Sequence, residues 1–161
     1  MADERLTTES TVYVTYIAST AERVWQALTS SEFTRQYFFG RSVESDWQPG
    51  SKWNLRKPDG TVDVHGVVQV SERPRKLVVT WKVDGPPEYK ELPECIVSYE
   101  IEPFGDAVVR LTMTEAHPTP IPSYLLEGGR RGWPMILSGL KSLLETGRPL
   151  AIPMPGPPPK E

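Results

Sequence analysis

SKWNLRKPDGTVDVHGVVQVSERPRKLVVTWKV, residues 51–83, decides how the rest of the chain is read. Its apolar residues are mostly β-branched or aromatic and tend to alternate with polar ones, the pattern of half-buried strands. Two turns divide it. Asp59-Gly60 is the strongest hairpin signal in the chain, since a two-residue turn needs backbone that accepts positive φ at both positions. Pro74 marks a second turn over 72–75. Three adjacent antiparallel strands are therefore predicted at 51–57, 61–71 and 76–83.

The turns also predict register. A two-residue Asp59-Gly60 loop sets Trp53 opposite Gly66 and Leu55 opposite Val64. Pairing Val70 with Leu77 sets Val68 opposite Val79 and Gly66 opposite Trp81. Gly66 is then expected between two tryptophans on one face. A glycine inside a strand weakens it unless something needs the room. Two indoles around such a position make either a tight aromatic core or the floor of a pocket.

Outward from this stretch, strands are expected at 11–18, from Ser42 onward, at 94–102 and at 107–116. The last two form a hairpin around Phe104-Gly105-Asp106; pairing Pro103 with Ala107 sets Tyr99 opposite Leu111, Val97 opposite Met113 and Ile101 opposite Val109, with Glu100 meeting Arg110 on the outer face. Ser19 and Thr20 can cap a helix over 21–30, in which Ala21, Val24, Trp25 and Leu28 share a face. A helical turn at 31–37 follows, ended by Gly40. Near the C-terminus, Pro134 suits a first helical turn. Trp133, Ile136, Leu137, Leu140, Leu143 and Leu144 then repeat at helical spacing, and Gly147 and Pro149 supply the stop.

The order is strand, two helices, a run of strands and one long helix, an α+β domain. Residues 1–9 are expected to be a flexible N-terminus, 10–148 the domain and 149–161 an extended proline-rich tail. A chain of 161 residues fits one core without staples. A net charge of −3 argues against general nucleic-acid binding, which needs dense Lys and Arg. The opening MADERLTTES has early acids and no apolar run, so it is not read as a secretory signal. No stretch approaches the roughly 20 apolar residues needed to cross a bilayer, so no membrane insertion is expected. The single cysteine, Cys95, suits a reducing compartment, and the cytoplasm is the expected location.

One helix of this length fills only part of a strongly curved sheet. The remaining space is expected to be an apolar cavity lined by Trp53, Gly66, Trp81, Tyr99, Leu111, Met113, Trp133, Ile136, Leu137 and Leu140, suited to a small hydrophobic molecule. No catalytic set, cofactor motif or metal-ligand spacing stands out. Cys95 reads as a small core residue. His65 is expected on the outer face beside Lys82, and His117, just before Pro118, near the pocket mouth. Glu115 falls on the inner face at a strand end and reads as a rim carboxylate rather than a pocket acid. Gly128-Gly129-Arg130-Arg131-Gly132 could hold an anion ahead of a helix, but a flexible hinge is preferred.

The segments AERVWQALTSSEFTRQYF, PGSKWNL, PDGTVDVHGVVQVSERPRKLVVTW, VVRLTMTEAHP and GWPMILSGLKSLLETG occur in an order that resembles one family. It is the heat-shock-protein-90 ATPase activator homologues, within the helix-grip superfamily also called SRPBCC or START-like, which includes the birch pollen allergen. The resemblance covers about residues 10–147. It implies a curved seven-stranded antiparallel sheet, two short helices after the first strand, and a long C-terminal helix gripping the sheet around a hydrophobic cavity. Trp25, Trp81 and Trp133 match the group's recurrent tryptophans and Gly66 its mid-strand glycine. Where relatives continue LTLTH, this chain has LTMTEAH, so His117 falls two places later. Members of the superfamily bind lipids, hormones or polyketides, and some are cyclases or hydrolases. The eukaryotic chaperone activators carry a further N-terminal domain that makes a large share of the chaperone contact, and these 161 residues are expected to lack one.

Three readings follow. The first is a protein that binds a small hydrophobic or aromatic molecule, without catalysis. The second is a cyclase- or hydrolase-type enzyme using Glu115, His117 or Tyr99 as acid or base. The third is an interaction module acting on a chaperone. A homodimer formed through an exposed edge strand is a further expectation.

Overall fold

The structure, a computed structural model, describes residues 5–85 and 87–153. In chain order it holds β1 (Leu6–Thr7), β2 (Thr11–Ile17), α1 (Ala21–Thr29), α2 (Ser31–Tyr37), β3 (Ser42–Ser45), β4 (Lys52–Arg56), β5 (Val62–Glu72), β6 (Lys76–Val83), α3 (Pro87–Lys90), β7 (Cys95–Pro103), β8 (Val109–Ala116), β9 (Ile121–Pro122) and α4 (Ser123–Thr146). The seven longer strands form one antiparallel sheet in the order β2-β8-β7-β6-β5-β4-β3. The curved sheet, the two short helices and the long C-terminal helix make the α+β helix-grip fold that the sequence predicts. α4 packs against β2, α1 and α2, so the core lies between it and the inner face of the sheet.

Local chemistry places the ends of these elements. Thr20 caps α1, its Oγ1 accepting from the Arg23 N–H at 3.2 Å. Val24, Trp25, Ala27 and Leu28 turn inward from that helix. Gly147 ends α4 with φ 83°, a left-handed cap whose N–H donates to Leu143 O at 2.9 Å.

The predicted registers are partly met. Trp53 faces Gly66 and Leu55 faces Val64. The loop beneath them differs: only Gly60 takes positive φ, at 93°, and Lys57 N–H donates to Thr61 O at 2.8 Å, so the turn holds three residues, Pro58, Asp59 and Gly60. Asp59 Oδ1 accepts from the Thr61 N–H at 2.9 Å, which stabilises this wider turn. An irregularity beside Arg56, which pairs with Val62, restores the register. The residue so displaced, Asp63, forms a 2.6 Å ion pair with Arg41.

Between β5 and β6, Val68 faces Val79 as expected, but a shift between Val68 and Val70 sets Val70 against Val78 and Ser71 against Leu77. The expected Val70–Leu77 pair is therefore displaced by a bulge. In the β7–β8 hairpin the loop is longer than three residues: Pro103 pairs with Val109, and Phe104 N–H donates to Val108 O at 2.8 Å. Tyr99 accordingly faces Met113, Ile101 faces Leu111 and Glu102, not Glu100, faces Arg110. Because the shift is two places, no side chain changes face.

The largest correction concerns α4. It begins at Ser123, well before the expected start near Pro134, and runs 24 residues with Pro134 inside. Gly128, Gly129 and Gly132, read as a hinge ahead of a helix, are helical. Glycine and proline disfavour a helix by about 1 and 3 kcal/mol per residue relative to alanine. Burial of Leu125 and Leu126 helps to offset that cost, each side chain contributing about 1.5–3 kcal/mol. At the opposite terminus, Leu6–Thr7 of the expected flexible segment pairs with Ile121–Pro122, and Ser123 N–H donates to Arg5 O at 2.7 Å. The part of the proline-rich tail at 154–161 and residues 1–4 lie outside the described residues. No helix among the described residues is long and apolar enough to cross a membrane.

Candidate functional site

The face carrying Trp53, Gly66 and Trp81 is solid. An added Cβ at Gly66 would stand 1.9 Å from the Thr80 carbonyl oxygen and 2.7 Å from Trp53 Nε1. The Thr80 carbonyl leaves the regular ladder to accept the Trp53 indole N–H at 2.9 Å, while Thr80 Oγ1 takes the Val67 N–H at 2.9 Å. Gly66 thus makes room for a backbone carbonyl. It does not floor a pocket. Trp53 and Trp81 have ring centroids 5.0 Å apart, Trp81 and Trp133 5.3 Å, and Phe38 stands edge-on to Trp133 at 5.7 Å. Such pairs add about 0.5–1.5 kcal/mol each beyond area burial. The void left beside Trp53, Tyr99 and Tyr37 measures about 20 Å³, room for roughly one water.

A larger cavity, about 240 Å³, lies on the other side of Trp81. Phe38, Trp81 and Trp133 form its aromatic wall; Leu92 and Pro93 border it from the loop before β7; Leu125, Gly129, Gly132 and Ile136 border it from α4. Its polar corner is built by the sheet. Val97 of β7 pairs with Glu115 of β8 and Ile96 with Ala116, which brings Cys95, at the start of β7, beside His117, just past the end of β8. The Sγ, carboxylate and imidazole atoms of Cys95, Glu115 and His117 all lie within 4.8 Å of one another. His117 Nε2 is 2.9 Å from Glu115 Oε2, the carboxylate accepting the imidazole N–H.

At this corner the His117 and Glu115 side chains are 6% and 12% exposed. Burial pushes the Cys95 thiol up to about 12, and the neighbouring Glu115 carboxylate pushes the same way. The Tyr13 phenol is likewise raised to about 12, first by burial and then by Glu115. α4 comes close here because position 129 has no side chain: an added Cβ would lie 2.9 Å from Glu115 Oε1. Tyr13 OH, donating to Gly129 O at 3.4 Å, supports the same crossing from β2.

Of the residues expected to line a cavity, Trp81, Trp133 and Ile136 border the larger one, and Trp53 and Tyr99 only the 20 Å³ void. Gly66 lies under the Thr80 carbonyl, and Leu111, Met113, Leu137 and Leu140 are packed in the core, bordering neither space. Glu115 borders the larger cavity with its side chain 12% exposed, in contact with His117. Cys95, expected as plain core, faces the cavity. His65 is on the outer face as predicted, opposite Lys82 and 2.7 Å from Asp84 Oδ2. The glycine–arginine segment offers no helix N-terminus to an anion, and Arg130 pairs with Glu9 and Glu127. The signal that marks the polar corner was present: continuing the period of two from Leu111 and Met113 leads to Glu115 and His117 on the inner face.

The fold defines a helix-grip domain, with a pocket between the sheet and the first half of α4. Residues 18–145 match the family described as Activator of Hsp90 ATPase homolog 1-like protein, and the chain belongs to that family. No curated protein matches the chain. Among solved structures it is similar to protein MLL2253 from Mesorhizobium loti, with 21% identity over 84% of this chain and 96% of that one, at a TM-score of 0.71. It is similar to DynU16 of the dynemicin biosynthetic locus, with 22% identity over 89% of this chain, a TM-score of 0.73, and coverage of 49% of that chain. A third is the Aha1 dimer from Colwellia psychrerythraea, with 15% identity over 86% of this chain and 98% of that one, TM-score 0.67. At these identities the likeness concerns the fold.

Proposed function

We propose that this protein binds a small molecule with an apolar body and one polar group in the cavity between β6–β8 and α4. The observation that carries this is the cavity's composition: an aromatic wall of Phe38, Trp81 and Trp133 facing one polar corner. About 240 Å³ exceeds the roughly 150 Å³ that accommodates benzene and falls short of the about 300 Å³ at which drug-sized sites begin. One or two fused rings fit that interval. The place of the similar DynU16 in a biosynthetic locus agrees with a small-molecule role.

Gly132 gives the test. It borders the cavity and an added Cβ there meets no atom within 4 Å, so Gly132→Phe fills the space while replacing a poor helix former. Native mass spectrometry of the purified protein and calorimetric titration with indole, 1-naphthol and benzoate are expected to show a retained mass or saturable binding. Gly132→Phe should weaken that binding at least about tenfold, roughly 1.4 kcal/mol, at an unchanged melting temperature. No binding by any probe together with no retained mass, or equal binding by the filled variant, would overturn the reading.

A second reading has its own observation. Glu115 and His117, 2.9 Å apart at the pocket's polar corner, are an acid–base pair placed where a ligand's polar group would sit. Turnover of a bound probe that disappears in Glu115→Gln while binding persists would make the protein an enzyme. Chaperone contact, suggested by the family's description, and a cytoplasmic location remain parts of the proposal. So does pairing of two copies along β2, an edge strand with exposed Val12, Val14 and Tyr16, and sedimentation would separate dimer from monomer.

A further inference from the structure

We propose that Cys95, Glu115 and His117 form a divalent-metal site of zinc type at the polar corner of the cavity. The donor set is sulfur, carboxylate oxygen and imidazole nitrogen, the three protein ligand types that zinc takes. No two of the three come from one helical turn or a short Cys-rich motif. They meet because β7 and β8 are paired in the register that sets Val97 against Glu115.

Distance and charge both fit. Around one zinc, with bonds of about 2.0–2.3 Å in tetrahedral directions, donor atoms stand about 3.3–3.8 Å apart. Here all three lie within 4.8 Å, and the closest pair, His117 Nε2 and Glu115 Oε2, is at 2.9 Å. The metal would enter by parting the close pair and drawing the thiol in. A Cys95 thiolate and the Glu115 carboxylate carry two negative charges between them, which a divalent cation neutralises in a place where an uncompensated charge is costly. On binding, the Cys95 S–H proton leaves to solvent and a Cys95–metal bond takes its place; the Nε2 proton now shared with Glu115 moves to Nδ1 or is released. Gly129, lacking a side chain, lets α4 approach the Glu115 carboxylate closely.

Three protein ligands leave a fourth position. Cys95, Glu115 and His117 all border the cavity, so a ligand in that space could reach the fourth position. A phenolate, carboxylate or thiolate on the ligand would complete the coordination. This refinement rests on the small-molecule reading, whereas the metal site itself does not.

The full chain, stripped with EDTA, should be titrated with Co²⁺ and followed by absorption, with Zn²⁺ added as competitor. One equivalent is expected to bind, with a thiolate-to-cobalt charge-transfer band and the visible bands of tetrahedral cobalt, both removed by Zn²⁺. Cys95→Ala should abolish the charge-transfer band. His117→Ala should weaken binding by more than the about ten- to hundredfold that loss of a mere supporting partner costs. Circular dichroism of each variant keeps the result interpretable, and Cys95→Ser replaces Cys95→Ala if the latter does not fold. Absence of saturable Co²⁺ and Zn²⁺ binding overturns the proposal. So does a charge-transfer band, or metal binding, that survives in the folded Cys95 variant. Metal binding without any organic probe binding would remove the cavity reading and leave this one; the reverse result would do the opposite.

Discussion

The two halves of α4 cover different parts of the same inner face of the sheet. Under its second half, Leu137, Leu140 and Leu143 fill the concavity together with Ile17, Val24, Leu111 and Met113, all buried. Under its first half, Gly128, Gly129 and Gly132 take up so little volume that about 240 Å³ stays open. One continuous helix covers both, and the small side-chain volume of its first half helps to leave that end open. The lesson is that a long helix over a curved sheet need not grip it evenly. Its glycines mark where the grip is released.

The contrast is most severely tested at the solid end. Gly66→Ala should lower unfolding free energy by about 3 kcal/mol or more, since the new methyl would overlap the Thr80 carbonyl and displace the strand. Denaturant unfolding measures it; a loss below about 1 kcal/mol would mean that the solid end yields easily. Leucine truncations compare the halves directly. Leu140→Ala, at 0% exposure in the packed end, should cost about 4 kcal/mol, and Leu125→Ala, which already borders the open space, about 2. Equal losses would erase the distinction.

The smallest expected effect concerns how the second half is moored. Glu145 Oε2 accepts from the Ala18 N–H at 2.8 Å and from Lys141 Nζ at 2.7 Å, and these bonds, the backbone one first, hold its carboxyl below the usual range. A lowered folded pKa means stability that is present above the unfolded value, near 4.3, and lost as pH falls through the folded one. The group is near the surface, so Glu145→Gln should cost only about 0.5 kcal/mol at pH 7, with the difference from wild type vanishing at lower pH. A difference unchanged at low pH would assign the effect to packing.

How much of this was legible in the sequence depends on the kind of signal. Alternation in 95–103 and 109–116 placed every inward residue on its proper face even though the hairpin loop was misjudged, because an error of two places preserves parity. The bulge after Val68 and the three-residue turn at Pro58 could not be foreseen, since both arise where twist and side-chain bonding outcompete the simplest turn. Residues 123–133 were misread for a different reason: glycine and proline report intrinsic preference, whereas Leu125 and Leu126 are held by the tertiary core. That one misreading hid the cavity, because the residues expected to be loop are the ones that roof it. Trp53 and Gly66 suggested a pocket floor because large-beside-small packing and an empty space share the same sequence pattern.

The aromatic cluster has an optical consequence. Trp53, Trp81 and Trp133 stand in series with centroids 5.0 and 5.3 Å apart, and transition dipoles at that range couple instead of absorbing independently. Trp81 and Trp133 also belong to the cavity wall. The protein therefore carries an intrinsic chromophore that joins its rigid end to its hollow end. A change of ring angle in the hollow should reach the observer as a change in exciton splitting, with no label attached.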